Sequence, residues 1–351
     1  MSIAAPETAS EHAVSVRRSA HALRALGLLA AVLALAFVAL LSVWLGSKDI
    51  PFTETWNVLL DGSGDSDAAI IIHDYRIPRT LLGIMVGAAL GLAGALMQAL
   101  TRNPLAEPGI LGVNTGASTG MVVAIAFLGI TSVVGYVWFA LVGAAVASFV
   151  VYVLGATGRG AASPERLVLA GAALTAVLYA FNTAVLLSDT EAYDEYRFWM
   201  VGSLAGRYYD VLMPLLPFVV VGVVIALPLV RSLNALAMGD DLGRALGSHP
   251  NRTRVLGAIA VTLLCGSATA AIGPVAFVGL AVPHAARLLV GPDQRWVLPY
   301  SLVLAPLLLV GSDVIGRVIA SPGEVQVGIV TAVIGVPVFC ALCRRRRLAS
   351  L

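Results

Sequence analysis

Charged residues are scarce in this sequence, and lysine is almost absent. Asp, Glu, Lys and Arg make up 12% of the 351 residues, and the only lysine is Lys48. A soluble fold usually has about a quarter of its residues charged, so this composition excludes an ordinary soluble protein. A P-loop ATPase needs a lysine within a glycine-rich motif that holds the phosphates. Lys48 does not lie in such a motif, so we expect no ATP hydrolysis by this chain.

Cysteine and histidine are too few and too scattered to predict a bound metal or cofactor. Three cysteines exclude a disulfide framework. Cys340 and Cys343 form one CxxC without a second pair, which favours two small apolar residues on a terminal helix over a metal or redox site. The five histidines show no metal-ligand spacing. We therefore expect no catalytic residue, no cofactor or metal site and no nucleic-acid partner.

Long apolar runs make up most of the remaining sequence. The chain is 59% hydrophobic, and its mean hydropathy is +0.91. Runs of about 20 apolar residues, each long enough to cross a bilayer, recur along it. We predict an all-α polytopic membrane protein with one transmembrane domain at 24–343, a disordered tail at 1–23 and a basic tail at 344–351. The ten predicted spans are 24–46, 80–100, 116–135, 137–155, 166–188, 212–231, 255–273, 274–291, 297–319 and 327–343.

The distribution of arginine predicts how the chain crosses the membrane. Three arginines lie within the first 24 residues, and four consecutive arginines at 344–347 follow the last span. Cytoplasmic segments of membrane proteins carry the excess of positive charge, so both termini are predicted to be cytoplasmic. The acidic loops at 49–74 and 189–210 then fall on the external side. We expect a multi-pass protein of the cytoplasmic membrane, in direct contact with the lipid bilayer.

The segment 76–118 carries the strongest functional signal. It begins with Arg76 and Arg79, continues into an uncharged glycine-rich helix, breaks into a loop at 103–109 that holds two prolines, and then turns apolar again. Within a membrane, irregular backbone is tolerated only where it is buried in protein or lines a water-filled path. This pattern therefore predicts a transport route.

A second feature is the loop at 231–254, which is predicted to be cytoplasmic. It should form two short helices over 235–246, with a turn at 247–250, and residues 238–247 read as an amphipathic helix ended by glycine. Such a helix is either a solvated connector or the attachment point of a cytoplasmic motor. Ion-coupled carriers usually hold ionisable residues at mid-membrane depth, and the first eight spans have almost none. We therefore expect transport to be driven by an attached partner.

The segment 76–118 resembles the motif of the FecCD-type permeases, the membrane subunits of type II ABC importers for ferric siderophores, haem and vitamin B12. The likeness continues in order through GDDLGRALG (239–247), AIGPVAFVGLAVPHAARLLVG (271–291), SDVIGR (312–317) and GIVTAVIGVPVF (328–339). The resemblance implies ten helices per subunit and a second permease subunit, identical or paralogous. It also implies two cytoplasmic ABC ATPases that hold ATP and Mg, and an extracytoplasmic substrate-binding protein.

Residue by residue, the resemblance implies three sets of functional positions. The arginines that dock the binding protein would be Arg76, Arg79 and Arg317. The positions that couple to the ATPase would be Gly239, Asp240, Asp241, Leu242, Arg244, Ala245, Leu246 and Gly247. The gate and pathway positions would be Asn103, Leu105, Ser163, Asn182, Thr183, Thr331 and Val333.

Two stretches depart from the family pattern. The family often has Glu-Leu/Ile-Pro before the last span, where this chain has Glu324-Val325-Gln326, and the surroundings of Ser163 lack the usual small hydroxyl residues. The expected function is the permease subunit of an ATP-driven importer of ferric siderophores. Haem or cobalamin import by the same machine is the alternative. An ion-coupled secondary transporter and a membrane scaffold or receptor without transport remain as hypotheses of other classes.

Overall fold

The computed structural model describes residues 7–61, 66–156, 164–245 and 247–344. Within these ranges the regular elements are helices, and no strand occurs. The helices are α1 (Glu7–Trp44), α2 (Phe52–Asp61), α3 (Asp67–Ile70), α4 (Ile77–Thr101), α5 (Val113–Leu128), α6 (Val133–Ala156), α7 (Pro164–Ser188), α8 (Thr190–Met200), α9 (Tyr209–Ala226), α10 (Val230–Ala237), α11 (Asp240–Ala245), α12 (Pro250–Ile272), α13 (Val278–Val290), α14 (Gln294–Ile319) and α15 (Val327–Arg344).

In the part of the chain that the structure describes, seven helical stretches are long and apolar enough to cross a membrane. They are His21–Trp44, Asp67–Thr101, Val133–Ala156, Glu165–Ser188, Tyr209–Ala237, Pro250–Ile272 and Gln294–Ile319. Three shorter apolar helices, Val113–Leu128, Val278–Val290 and Val327–Ala341, lie where the other spans were predicted. The prediction of an all-helical, polytopic membrane protein is confirmed.

Most helix boundaries differ from the predicted ones by a few residues, and two of the differences have a clear local cause. Residues 7–23, expected to form a disordered tail, continue α1 towards its beginning. No glycine or proline interrupts them, and extending an existing helix costs far less than nucleating one. Helix α13 begins at Val278 and not at 274, because Gly273 and Phe277 both adopt left-handed backbone conformations, with φ of 83° and 67°.

Helix α4 is the centre of the bundle, and close backbone contact surrounds it. In its most apolar window 83% of the residues are buried, against 17% for α1 and 11% for α7. A Cβ atom on Gly87 would lie 2.5 Å from the Pro306 Cα of α14, and one on Gly94 would overlap the Gly279 carbonyl of α13. The glycines of α4 therefore allow α13 and α14 to approach at the distance of backbone contact.

This packing predicts a strong difference between two glycine-to-alanine substitutions. Gly94→Ala should destabilise the protein by about 1–3 kcal/mol, the usual range for overpacking, because α13 must move away from α4. Gly311→Ala should not destabilise it, since no atom lies within 4 Å of the added methyl and alanine favours the helix. Thermal unfolding of the purified variants in detergent measures both effects. Equal melting temperatures would contradict the close contact.

Candidate functional site

A pocket of about 420 Å³ opens at the end of the bundle where α4 begins, which we call the Arg79 end. A π-helical stretch, Ile71–Arg76, leads directly into α4. Arg79 lies in the first turn of α4, and Arg317 lies in the last turn of α14. The polar and aromatic residues that line the pocket are Ser47, Lys48, Tyr75, Arg76, Arg79, Tyr208, Arg317 and Glu324. The structure therefore brings the three arginines predicted to dock the binding protein together.

Arg79 joins three parts of the chain. Its Nη2 lies 2.8 Å from Oδ1 of Asp313, and its Nε lies 3.1 Å from Oδ2. The two contacts form a bidentate salt bridge between α4 and α14. Its Nη1 lies 2.8 Å from Oε2 of Glu324, in the segment that precedes α15. The side chain of Arg79 is 14% exposed. Planar, two-pronged pairs of this kind hold both partners in a fixed geometry.

Arg76 and Arg317 are buried, with 5% and 2% of their surface exposed. Both donate hydrogen bonds to carbonyl oxygens at the end of α1. Nη1 of Arg317 lies 2.9 Å from the Ser42 oxygen and 2.8 Å from the Leu45 oxygen, and Nη1 of Arg76 lies 3.1 Å from the Val43 oxygen. The last carbonyls of a helix lack partners within the helix, and cations there are favoured. In this structure the two arginines cap α1 and are covered by it.

Asp313 is the acidic residue at the centre of this cluster. It is 2% exposed and pairs with Arg317, at 3.0 Å, as well as with Arg79. The spacing of four residues between Asp313 and Arg317 is a sequence signal for a pair on one helix face. The partnership with Arg79 has no such signal, because 234 residues separate the two.

Neutralising Asp313 should destabilise the protein strongly. Asp313→Asn leaves the buried Arg317 guanidinium facing Arg79 without its carboxylate, and breaking a buried ion pair costs about 3–5 kcal/mol. The neighbouring substitution Ser312→Ala serves as the control. Ser312 is 1% exposed and its hydroxyl has no hydrogen-bond partner among the described residues, so its removal should change little. Thermal unfolding should show a large drop in melting temperature for Asp313→Asn and little change for Ser312→Ala.

The predicted break after α4 is confirmed as irregular backbone, which is exposed where it begins and partly buried further along. Helix α4 ends at Thr101, and Arg102 adopts a left-handed conformation with φ of 51°. Asn103 Oδ1 accepts a hydrogen bond of 2.9 Å from the Leu105 N–H, so the chain turns sharply there. A 3₁₀ turn, Pro108–Leu111, then leads into α5. Asn103 and Leu105 are both exposed, and Leu105 leaves 52% of its surface uncovered.

The predicted pathway residues on α7 and α15 face different directions. Thr183 is exposed, and Val333 has 67% of its surface exposed. Asn182 is buried and donates a hydrogen bond of 3.0 Å to Ser118 Oγ on α5. Thr331 is fully buried and donates to its own helix. Only one residue of each pair is therefore positioned to contact a path. Ser163 lies outside the described residues.

The predicted coupling helix is shorter than expected. Instead of one helix over 238–247, α11 covers Asp240–Ala245, because Gly239 has a φ of 107° and ends the helical run before it. Leu242 has 59% of its surface exposed, and the Asp241–Arg244 pair on the same helix is open to solvent. Ala245 is exposed, Gly247 follows with a φ of 81°, and Leu246 lies outside the described residues.

Asp240 differs from the rest of α11, because it faces the bundle. Its carboxylate accepts hydrogen bonds from Arg102, directly after α4, and from Arg254 on α12. We call this end of the bundle the Asp240 end. No pattern in the sequence predicts these partners, since the three residues lie on separate segments and carry no regular spacing.

A bundle of apolar helices with irregular backbone packed inside it, and with paired charges at its two ends, has the architecture of a membrane transport subunit. The chain belongs to the FecCD transport family, whose model matches residues 33–345. The resemblance found in the sequence is confirmed. This family comprises permease subunits of ABC transporters, so the chain is a multi-pass permease of the cytoplasmic membrane, and the ATPase of such transporters is a different subunit.

Named relatives and a solved structure agree with this assignment. The ferric enterobactin transport system permease protein FepD of Escherichia coli (strain K12) is 46% identical over 92% of this chain and 96% of its own length. The cobalamin import system permease protein BtuC of Halobacterium salinarum is 38% identical over 81% of this chain and 76% of its own length. The inward-facing structure of a metal-chelate type ABC transporter superimposes with a TM-score of 0.80 at 26% identity, over 91% of this chain and 98% of that one.

Proposed function

We propose that this chain is the permease subunit of an ATP-driven ABC importer that carries ferric siderophores across the cytoplasmic membrane. The observation that carries the proposal is the 46% identity, over almost the full length of both chains, to a ferric enterobactin permease. The iron(3+)-hydroxamate import system permease protein FhuB of Bacillus subtilis (strain 168), 38% identical over 91% of this chain, supports the same class of cargo. Cobalamin import is the second candidate, favoured by the cobalamin relative.

The proposed topology has ten spans and places both termini in the cytoplasm. The seven long spans and the three shorter apolar helices together supply the ten. The Arg79 end then faces the outside and the Asp240 end the cytoplasm, in agreement with the arginines at 344–347. The three short helices α5, α13 and α15 follow irregular segments, as expected of spans that begin within the bundle.

The proposed energy source is ATP hydrolysis by partner subunits. Among the described residues, the buried guanidinium and carboxylate side chains are Arg76, Asp313 and Arg317, which lie together at the Arg79 end. An ion-coupled carrier would instead need ionisable groups along its path at mid-membrane depth. Two ABC ATPases that bind ATP and Mg would contact the exposed side of α11. A second permease subunit, identical or paralogous, would cover the exposed faces of α7 and α15.

We propose that an extracytoplasmic binding protein docks at the Arg79 end. Of the three arginines there, Arg79 is the one whose partners can be exchanged most readily. Its partner Glu324 is accessible to solvent, with 27% of its side chain exposed. Arg76 and Arg317, in contrast, are covered by α1. An acidic residue of the binding protein would replace Glu324 as the partner of Arg79. Complementary charges at such interfaces guide docking and fix its register.

Deleting the gene should selectively abolish uptake of ferric siderophores. The measurement is uptake of ⁵⁵Fe-labelled ferric enterobactin and ferric hydroxamate by cells that lack the chain, with labelled cobalamin and haem in parallel. The intact gene should restore uptake. Loss of cobalamin or haem uptake alone would support the importer function but contradict the siderophore cargo. Siderophore uptake that stops with a protonophore while ATP is held constant would contradict ATP-driven import.

Two substitutions at the Arg79 end should change docking in opposite directions. Arg79→Gln removes the charge that the binding protein contacts. The affinity of the binding protein for the complex should therefore fall about tenfold, within the range found for interfacial charge pairs. Glu324→Gln removes the carboxylate that competes for Arg79 within the chain, so it should raise the affinity of the binding protein severalfold. The control is Asp67→Asn, which removes a negative charge at the same end from a side chain that is 90% exposed. Binding of the purified binding protein to the complex in nanodiscs, at physiological salt, measures all three.

A further inference from the structure

Helix α11 is attached to the chain through two glycines that have no packing around them. Gly239 and Gly247 flank it, with φ of 107° and 81°, and apart from chain neighbours no atom of the described residues lies within 4 Å of a Cβ built on either. Gly243 lies against the end of α10, where a Cβ built on it would be 3.3 Å from the Ala235 carbonyl oxygen. The position of α11 relative to α4 and α12 therefore depends on side-chain contacts, and those of Arg102 and Arg254 converge on Asp240.

The Asp240 carboxylate lies between two guanidiniums from different helices. Arg254 of α12 places Nη2 3.0 Å from Oδ1 and 2.9 Å from Oδ2, and Nη2 of Arg102 also binds Oδ1. The Asp240 side chain is 28% exposed, and those of Arg254 and Arg102 are 12% and 35% exposed. Partial burial strengthens these contacts over those of a solvated pair, yet leaves them within reach of water. Among the described residues, Asp241, whose side chain is fully exposed, pairs with Arg244 of the same helix.

Burial of the Asp240 carboxyl favours its neutral form, but hydrogen bonds and charge from Arg254 and Arg102 outweigh it, so the pKa of Asp240 is lowered. A lowered pKa means that the contact is fully present above the ordinary range of an aspartic acid. It weakens only as the pH falls through the lowered pKa. The carboxylate is therefore ionised at neutral pH.

Arg102 is the residue at which α4 gives way to the proposed gate. Its left-handed backbone lets Asn103 N–H bond back to the Gln98 carbonyl at 3.2 Å, which closes the end of α4. Asn103 follows at once and forms the turn with Leu105. A force on the Arg102 side chain therefore acts directly on the start of this turn.

We infer that Asp240 is a positioning residue that ties α11 to Arg102, so that α11 and the turn at 103–105 move as one unit when the ATPases pull on α11. This inference rests on the proposed importer function. It assigns to Asp240 and Arg102 a role in transmission, while Arg254 anchors the same carboxylate to α12.

The test uses the complete transporter in proteoliposomes, with its ATPases and loaded binding protein. The measured quantity is the number of ferric siderophore molecules transported per ATP hydrolysed. Asp240→Asn and Arg102→Gln should each lower this ratio about tenfold, within the usual range of coupling between sites. The double variant should lose no more than either single one, because both remove the same link. Asp240→Glu, which keeps the carboxylate, should restore most of the ratio.

The control is Asp194→Asn, the same change in a solvated pair, with both Asp194 and Arg197 53% exposed. Arg102→Gln leaves α11 itself intact, so it tests the link even where Asp240→Asn weakens assembly. Parallel loss of hydrolysis and transport, with an unchanged ratio, would show a static role and overturn the inference. The same follows if Arg254→Gln lowers the ratio and Arg102→Gln does not. A wild-type complex without ATP-driven uptake would overturn the proposed function itself.

Discussion

The close contact between α4 and its neighbours is the constraint on which the rest of the structure depends. Glycines let α13 and α14 touch the α4 backbone, where a side chain as small as a methyl group would not fit at Gly94. Helix α4 has 25 residues, which corresponds to a length of about 37 Å. Arg79 lies in its first turn and Arg102 directly follows its last residue. One tightly held helix therefore joins the two functional ends of the bundle.

The same arrangement of charges recurs at both ends of α4. At one end Asp313 lies between Arg79 and Arg317, and at the other Asp240 lies between Arg102 and Arg254. In each case an arginine at an end of α4 reaches a carboxylate on another helix. The two clusters differ in how far solvent reaches their carboxylates.

The burial of the two carboxylates indicates different tasks. The Asp313 side chain is 2% exposed, so the cluster of Asp313, Arg79 and Arg317 holds α4, α14 and α1 together as a fixed structural contact. The Asp240 side chain is 28% exposed, so its pairs with Arg102 and Arg254 tie α11 to the bundle at a site that water reaches.

The sequence was sufficient for the class of fold and for the broken segment, because both follow from hydropathy and from the demands of backbone in a membrane. It was insufficient for the direction of individual side chains. Helices α7 and α15 are apolar on all sides, so periodicity does not tell which face is inside. The family resemblance placed Asn182 and Thr331 on the path; in the structure Asn182 donates a hydrogen bond to Ser118 of α5, and Thr331 is fully buried. The capping of α1 by Arg76 and Arg317 is a tertiary contact between distant segments and leaves no local pattern.

The exposed face of α7 argues for a second subunit around the cargo. Four alanines, Ala172, Ala176, Ala180 and Ala184, repeat at intervals of four residues along this face and are all exposed in the single chain. Thr183 is exposed beside them. A ferric chelate with its polar groups cannot travel along a helix that faces lipid, since hydrocarbon offers it no hydrogen bonds. The path must therefore be closed by another protein surface. On the proposed path, the small side chains of α7 would leave room for a bulky chelate, and their lack of charge would leave recognition to the proposed binding protein.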